Sequence, residues 1–576
     1  MNNNEHQQEW REPVVAGHED QVALGATAAL VVPPATRGPS LAAQVSLAVL
    51  WNTLFVPLRM LAEVLATLVK LNLLSPAHYG LLALVSGANN GLGTLVDLGT
   101  ARALPKYIPE TQHSGGARAV LRLLARVFSA QMLAFLVITL WLLLQRSRYL
   151  GEMQAKIMAD SRLDAFARTD LLQFVQDYGW LLIGVVLLVL FLSGICYDML
   201  MAYLNSFFKQ RAWNGIALIA GLLPPLLSAG AILAGWGIVG VLAAMVLSPA
   251  IAVVLATWQV VRQWRQSATA AVAPHPPPAT RRLPPGFIHY SGVSFLMTMT
   301  DFVASASFAV FLAPDIGDVA LLWAGSSVVR MILAYLYTPM VGVQVPLFTR
   351  VRVGEGGTLL GAYQSLIRLQ VLLLIPGGVG LMLLAQPALL VISPQYLAAA
   401  PLVWVLVPCL FLECLLTTAH NALIVYEHLR MIIISRVLTL LVVVPLAFLL
   451  PPVYGVFGVA LAFGLARLAA GFWVTANGYR LLGLRWPWQF TLRVTLASLV
   501  MALLVIALRE LLPALPAEVS LVERLVEALW LLGIASIGAV GFLGALRLLG
   551  GLDERDRQQL LQMKLPFKKW LVKREA

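Results

Sequence analysis

The stretch LLSPAHYGLLALVSGANNGLGTLVDLGTARALPKYIPE, residues 73–110, decides how the chain is read. It holds one apolar segment, 80–104, long enough to cross a hydrocarbon core about 30 Å thick. The gap before it, NLLSPAHYG, has no Lys or Arg. Its far end and the gap beyond carry Arg102, Lys106 and Arg118.

Extended outward with a window of about 20 residues, the same reading gives about fourteen apolar segments. Spans 1 to 14 fall near 44–70, 80–104, 120–145, 179–204, 212–234, 237–261, 287–312, 319–348, 360–391, 398–425, 431–450, 454–479, 489–511 and 522–547. Basic residues keep to alternate gaps: Lys209 and Arg211 in the fourth, Arg262, Arg265, Arg281 and Arg282 in the sixth, and Arg350 and Arg352 in the eighth. Arg430 follows in the tenth, and Arg480 and Arg485 in the twelfth. Gaps one, five, nine and eleven have none, and the seventh holds only Asp315 and Asp318. The positive-inside bias therefore places the even gaps and both termini in the cytoplasm. One missed or invented helix would put every later basic gap on the wrong side. The expectation is an all-α, multi-pass protein of the inner (cytoplasmic) membrane.

Composition agrees. Of 576 residues, 59% are hydrophobic and 12% charged, with a mean hydropathy of +0.82, values foreign to a soluble chain of this length. No polar gap is long enough for a separate soluble domain. The net charge of +12 is dispersed among the spans, which suits orientation and contact with anionic lipid rather than nucleic acid. Cys196, Cys409 and Cys414 all fall in apolar segments, so neither disulfides nor a thiol-bound metal is expected. The N-terminus lacks a basic region leading directly into an apolar core, so no cleaved signal peptide is expected.

The linker ATAAVAPHPPPATRRLPP carries Pro274, Pro276, Pro277, Pro278, Pro284 and Pro285, which forbid a helix across it. The reading is a polar tail (1–42), a six-helix bundle (43–262), a Pro/Arg-rich linker (263–286), a second six-helix bundle (287–480), a helix pair 13–14 (487–548) and a basic tail (549–576). Because spans 1 and 7 leave from the same side, any repeat is a parallel one. A faint one appears when 73–90 is laid beside 311–327. The tail LDERDRQQLLQMKLPFKKWLVKREA mixes lysines with Phe567 and Trp570, a pattern suited to lying on the inner leaflet or docking an assembly partner.

Residues 73–110 also resemble the first signature of the polysaccharide flippases in the multidrug/oligosaccharidyl-lipid/polysaccharide exporter superfamily. The resemblance rests on Pro76 with Tyr79 and Gly80, then Asp97, Leu98 and Gly99, then a turn into a basic loop. ISPQYLAAAPLVWVLVP (392–408) and LPPVYGVFGVALAFG (450–464) resemble the signatures of that family's second half. It implies a MATE-like, lipid-flippase-like fold. On the residues themselves, Gly80, Gly87, Gly91, Gly93 and Gly99 remove bulk along span 2, allowing close approach or sliding. Pro224, Pro225, Pro339, Pro346 and Pro376 free backbone groups at membrane depth.

Charges inside spans cost at least a few kcal/mol at the bilayer centre and mark cavities or partners. Arg59 and Glu63 share a helix face in span 1, as either a self-neutralising pair or a cavity pair. Asp97 and Arg368 lie near span ends and can snorkel. Asp198, Asp301, Glu413 and Arg467 occupy spans 4, 7, 10 and 12, with His420 and Asn421 also in span 10. Arg330, mid-span 8, has no acidic residue within four positions, which leaves an anionic ligand or another helix as its partner.

With those charges, the resemblance implies a transporter rather than an enzyme: a flippase that moves a lipid-linked oligosaccharide, precursor of a cell-surface polysaccharide, by alternating access. Arg330 and Arg59 are the candidates for binding pyrophosphate or acidic sugars, and spans 13 and 14 for a groove holding the lipid tail. Glu63, Asp301 and Glu413 are the candidates for a cavity or ion-coupling role, with Na+ or H+ left open and no cofactor or metal expected. The partners implied are a polyprenyl-pyrophosphate-linked oligosaccharide, membrane lipids and polysaccharide-assembly proteins, not nucleic acid. Two other readings stand beside it. An ion-coupled multidrug or cation exporter of the same superfamily should have an acidic cavity. A membrane glycosyltransferase or polysaccharide polymerase should carry acidic or Arg/His residues in external loops, whereas gap three shows charges spaced as on a solvated helical face.

Overall fold

A computed structural model describes residues 61–206, 210–270, 283–352, 354, 357–510 and 521–550. Among these the regular elements are all helices. That is what a lipid environment imposes, since only a helix or a closed barrel satisfies its own backbone there. Twelve helices are long and apolar enough to cross a membrane, and they correspond to spans 2–6 and 8–14. Span 7 is a bent pair, Phe287–Val303 and Ala306–Leu312, meeting at 52°. Of span 1, residues 61–73 are described and helical. Both tails, Arg59 and most of the proline linker lie outside the described residues.

The alternation of gaps becomes spatial. Odd gaps meet odd gaps: Ser393 Oγ donates to the Leu71 carbonyl at 2.8 Å, Arg524 Nη1 donates to Asn72 Oδ1 at 2.8 Å, and Arg162 pairs with Asp315 and Asp318. Even gaps and the span ends beside them also meet: Ser291 Oγ donates to the Leu98 carbonyl at 2.7 Å, Arg352 pairs with Glu427 at 2.9 Å, and Gln364 donates to the Arg485 carbonyl at 3.3 Å. The molecule thus has an odd end and an even, basic end.

Several local features depart from the sequence reading. Gap three does not: its charges are spaced as on a solvated helical face, and there helix Arg146–Ala159 turns directly into Ala165–Val189 as a helical hairpin. Span 6 extends from Gly237 to Ala270, eight residues past the boundary at 262. Helices run uninterrupted through Pro224, Pro225 and Pro376. The breaks fall instead at Gly116 and Gly455, whose positive φ a glycine adopts freely, and at the bend in span 7. One missing proline N–H leaves the other helical bonds intact, and without water to replace them the helix continues.

The glycines of span 2 are explained by its neighbours. A Cβ at Gly80, Gly87 or Gly91 would fall 2.5–2.6 Å from the Ile316 carbonyl, the Ser307 carbonyl or the Phe302 ring. Span 2 therefore lies close against spans 7 and 8. Gly93 faces the other way, toward Leu190 and Gly194 in a π-helical stretch of span 4, Leu190–Tyr197. At the Asp-Leu-Gly turn, Leu98 and Gly99 both adopt the left-handed conformation and the Asp97 carboxylate accepts from the Ala101 N–H at 2.8 Å. The Asp97 carboxylate thus satisfies an open N–H in the first turn of the next helix. Gly99 needs both its conformation and its missing side chain, since a Cβ would sit 2.2 Å from the Ser291 carbonyl. Gly99→Ala is expected to destabilise the protein by at least about 1–2 kcal/mol, read by thermal unfolding in detergent. Unchanged stability would mean that this end of spans 2 and 7 yields readily.

Candidate functional site

A cavity of about 1480 Å³ lies between the two bundles. It is lined by spans 1, 2, 5, 6, 8 and 9 and continues to spans 13 and 14. One wall is polar. Span 1 contributes Glu63, Thr67 and Lys70, span 2 contributes Tyr79 and Ser86, and span 8 contributes Trp323, Ser327 and Arg330. These positions recur at helical spacing, so each span turns one polar face to the cavity.

Arg330 is exposed although it sits mid-span, because the cavity is what it is exposed to. Its Nη2 donates to Ser327 Oγ at 3.3 Å, and its guanidinium stands 5.0 Å from the Trp323 ring centroid. Among the described residues no carboxylate forms an ion pair with it. Glu63 lies within electrostatic reach of both Arg330 and Lys70. The site is thus a mixed-charge patch with a guanidinium beside an aromatic ring, a chemistry suited to phosphate or carboxylate oxygens.

The other wall is apolar. Span 9 presents Leu369, Leu373, Leu381 and Leu384, span 13 presents Met501 and Val505, and span 14 presents Leu531, Phe542 and Leu546. Spans 13 and 14 pack tightly because Gly538 and Gly541 leave room for Val505 and Leu504.

Two of the acidic candidates lie elsewhere. Asp301 pairs with Arg436 of span 11 and, at 3.8 Å, with Arg102 at the far end of span 2, so it joins the two bundles near the even end. Glu413 pairs with Arg467 at 2.7 Å. Arg467 also donates at 3.0 Å to the Ala304 carbonyl, one of the groups left open where span 7 bends. Each of these two carboxylates therefore has a guanidinium as its ion-pair partner. Asn421 donates to Gln344 at 2.6 Å and Arg368 stacks 5.2 Å from the Phe490 ring. Neither residue lines the cavity. Glu413→Gln should cost about 3–5 kcal/mol by stranding Arg467, whereas the double variant Glu413→Leu/Arg467→Leu should be less destabilised than either single one. If Glu413→Gln kept full stability and lost only ion dependence of transport, a coupling role would be favoured instead.

Sequence reasoning passed over Lys70 and Trp323. Lys70 ends the segment read as span 1, where a lysine ordinarily snorkels, and Trp323 sits seven residues before Arg330, two turns away on one face. That spacing was the available signal.

No protein-family model and no curated protein matches the chain. Solved structures do. The lipid II flippase MurJ in an inward closed conformation superposes with a TM-score of 0.59 at 13% identity, covering 86% of this chain and 99% of that one. A multidrug resistance MATE transporter in an inward-facing conformation gives 0.53 at 15% identity, covering 74% and 94%. The chain therefore has the helical fold shared by MurJ and the MATE transporter.

Proposed function

We propose that the chain is a transporter that flips a lipid-linked oligosaccharide across the cytoplasmic membrane, supplying cell-surface polysaccharide synthesis. One observation carries the reading: a single cavity joins a charged patch at Arg330, Lys70 and Glu63 to an apolar wall built by spans 9, 13 and 14. Such a lining matches a substrate with an anionic head and a hydrocarbon tail. Arg330, with Arg59, engages the pyrophosphate or acidic sugars, and the tail rests against spans 13 and 14. The likeness to MurJ, whose name records a lipid-linked cargo, supports the same class.

Alternating access is carried by ties between the bundles at each end. Arg162 holds Asp315 and Asp318 at the odd end, while Arg102–Asp301 and the Gly99–Ser291 contact hold the even end. Each set parts in turn while the other closes.

The test is flipping of a fluorescent polyprenyl-pyrophosphate oligosaccharide by the purified protein in proteoliposomes. Protein-dependent flipping is expected. Absence of flipping together with cation-driven efflux of a lipophilic dye would move the chain to the drug-exporter reading.

A further inference from the structure

A second cavity, of about 580 Å³, lies on the far side of span 9 from the first. Span 9 is the partition: Leu373, Pro376, Gly377 and Leu381 face the central cavity, whereas Leu374, Gly378, Val379 and Met382 face this one. Spans 10 and 12 and the start of span 13 complete an almost wholly apolar slot. It opens sideways, past Phe472 at 54% exposure and Trp488 at 71%, onto the face of the bundle that membrane lipid surrounds.

The slot runs from mid-membrane to the even end, where its lining changes character. Tyr479, Trp486 and Trp488 stand at its mouth, with Trp486 Nε1 donating to Thr491 Oγ1 at 2.8 Å. Amphipathic rings at this level mark the membrane–water interface. Beside them Arg480 and Arg485 are exposed, and no Asp or Glu occurs between Glu427 and Glu510. An apolar slot of interfacial depth, ringed by Trp and Tyr that adjoin exposed arginines in the chain, matches one kind of occupant.

We propose that this slot binds an anionic phospholipid from the leaflet at the basic end. One acyl chain fills the slot between spans 9, 10 and 12, and the headgroup phosphate meets Arg480 and Arg485. Because its occupant presses on the back of span 9, the lipid bears on the wall of the transport cavity, and occupancy couples membrane composition to transport.

The test uses the full-length protein in lipid nanodiscs containing photoreactive phosphatidylglycerol or photoreactive phosphatidylcholine, with crosslinks mapped by proteolysis. Crosslinks are expected on 407–416 and 472–491, favouring phosphatidylglycerol by about fivefold for each of the two arginines. Ala476→Trp, which fills the mouth, should remove them. Arg480→Gln/Arg485→Gln, which changes only exposed side chains, should abolish the phosphatidylglycerol preference and carries the test if the first variant fails to fold. Crosslinks spread evenly over lipid-facing helices, equal labelling by both lipids, labelling unmoved by both variants, or labelling confined to 551–576 would overturn the proposal.

Discussion

Arg162→Leu should be among the most destabilising single substitutions outside the spans, at about 3 kcal/mol. Its guanidinium serves three carboxylates: Asp160 at 3.1 Å, Asp318 at 3.1 Å and Asp315 closer still. Asp160 is only 2% exposed, and its other oxygen accepts from the Gly317 N–H at 2.9 Å. Removing the arginine leaves like charges facing one another in a largely desolvated pocket, and stranding a buried charge costs about 3–5 kcal/mol. The lower end applies because Arg162 itself is 47% exposed, which lets water screen the pocket. Adding Asp318→Asn to Arg162→Leu should recover part of the loss, since it removes one of the repelling charges. Thermal unfolding of the three proteins in detergent checks this. Equal stability of wild type and Arg162→Leu would mean that the clamp contributes nothing and that the hairpin of gap three is held by packing alone. The clamp also joins the first bundle to the second, so a milder change, Asp315→Asn, should shift proteoliposome transport more than it shifts stability.

Arg330→Gln should have the opposite signature, a large functional loss at nearly constant stability. The guanidinium faces the cavity, so glutamine strands no buried charge. What is lost structurally is one hydrogen bond to Ser327 and a contact with Trp323 of about 0.5–1 kcal/mol. If Arg330 holds the substrate's phosphate, truncating that charge pair should weaken head-group binding by about 2–5 kcal/mol, or roughly thirtyfold to several thousandfold. Arg330→Lys should rescue only in part, because an ammonium keeps the charge but not the planar fork. Initial flipping rates alongside thermal unfolding decide the matter. Normal flipping by Arg330→Gln would remove Arg330 from substrate binding, and parallel loss of flipping and stability would make its role architectural.

The places of the described spans and the grouping of gaps were legible in the chain because both depend on local quantities. Apolar length is set by the thickness of the hydrocarbon core, and basic residues mark one side of it. The span 2 signature was legible as a motif but not as a mechanism. Its glycines predicted a close approach, and only the structure shows that the partners are Ile316, Ser307, Phe302 and Ser291, all more than two hundred residues away or nearly so. The acidic candidates illustrate the opposite limit. Glu63, Asp301 and Glu413 look alike in sequence, each a carboxylate inside an apolar run. Their surroundings separate them: Glu63 lines the cavity, whereas Asp301 and Glu413 are matched by Arg436 and Arg467 from other spans.

The sequence by itself determined a polytopic helical protein, the alternation of its gaps and the approximate place of every described span, because burial in lipid requires each helix to satisfy its own backbone and to be apolar along its length. Tertiary structure decided which charges are paired and which face open space, where span 7 bends, and that spans 8, 9, 13 and 14 share one cavity. Those outcomes depend on which faces of distant helices meet, and the local composition of a span carries no record of its neighbours.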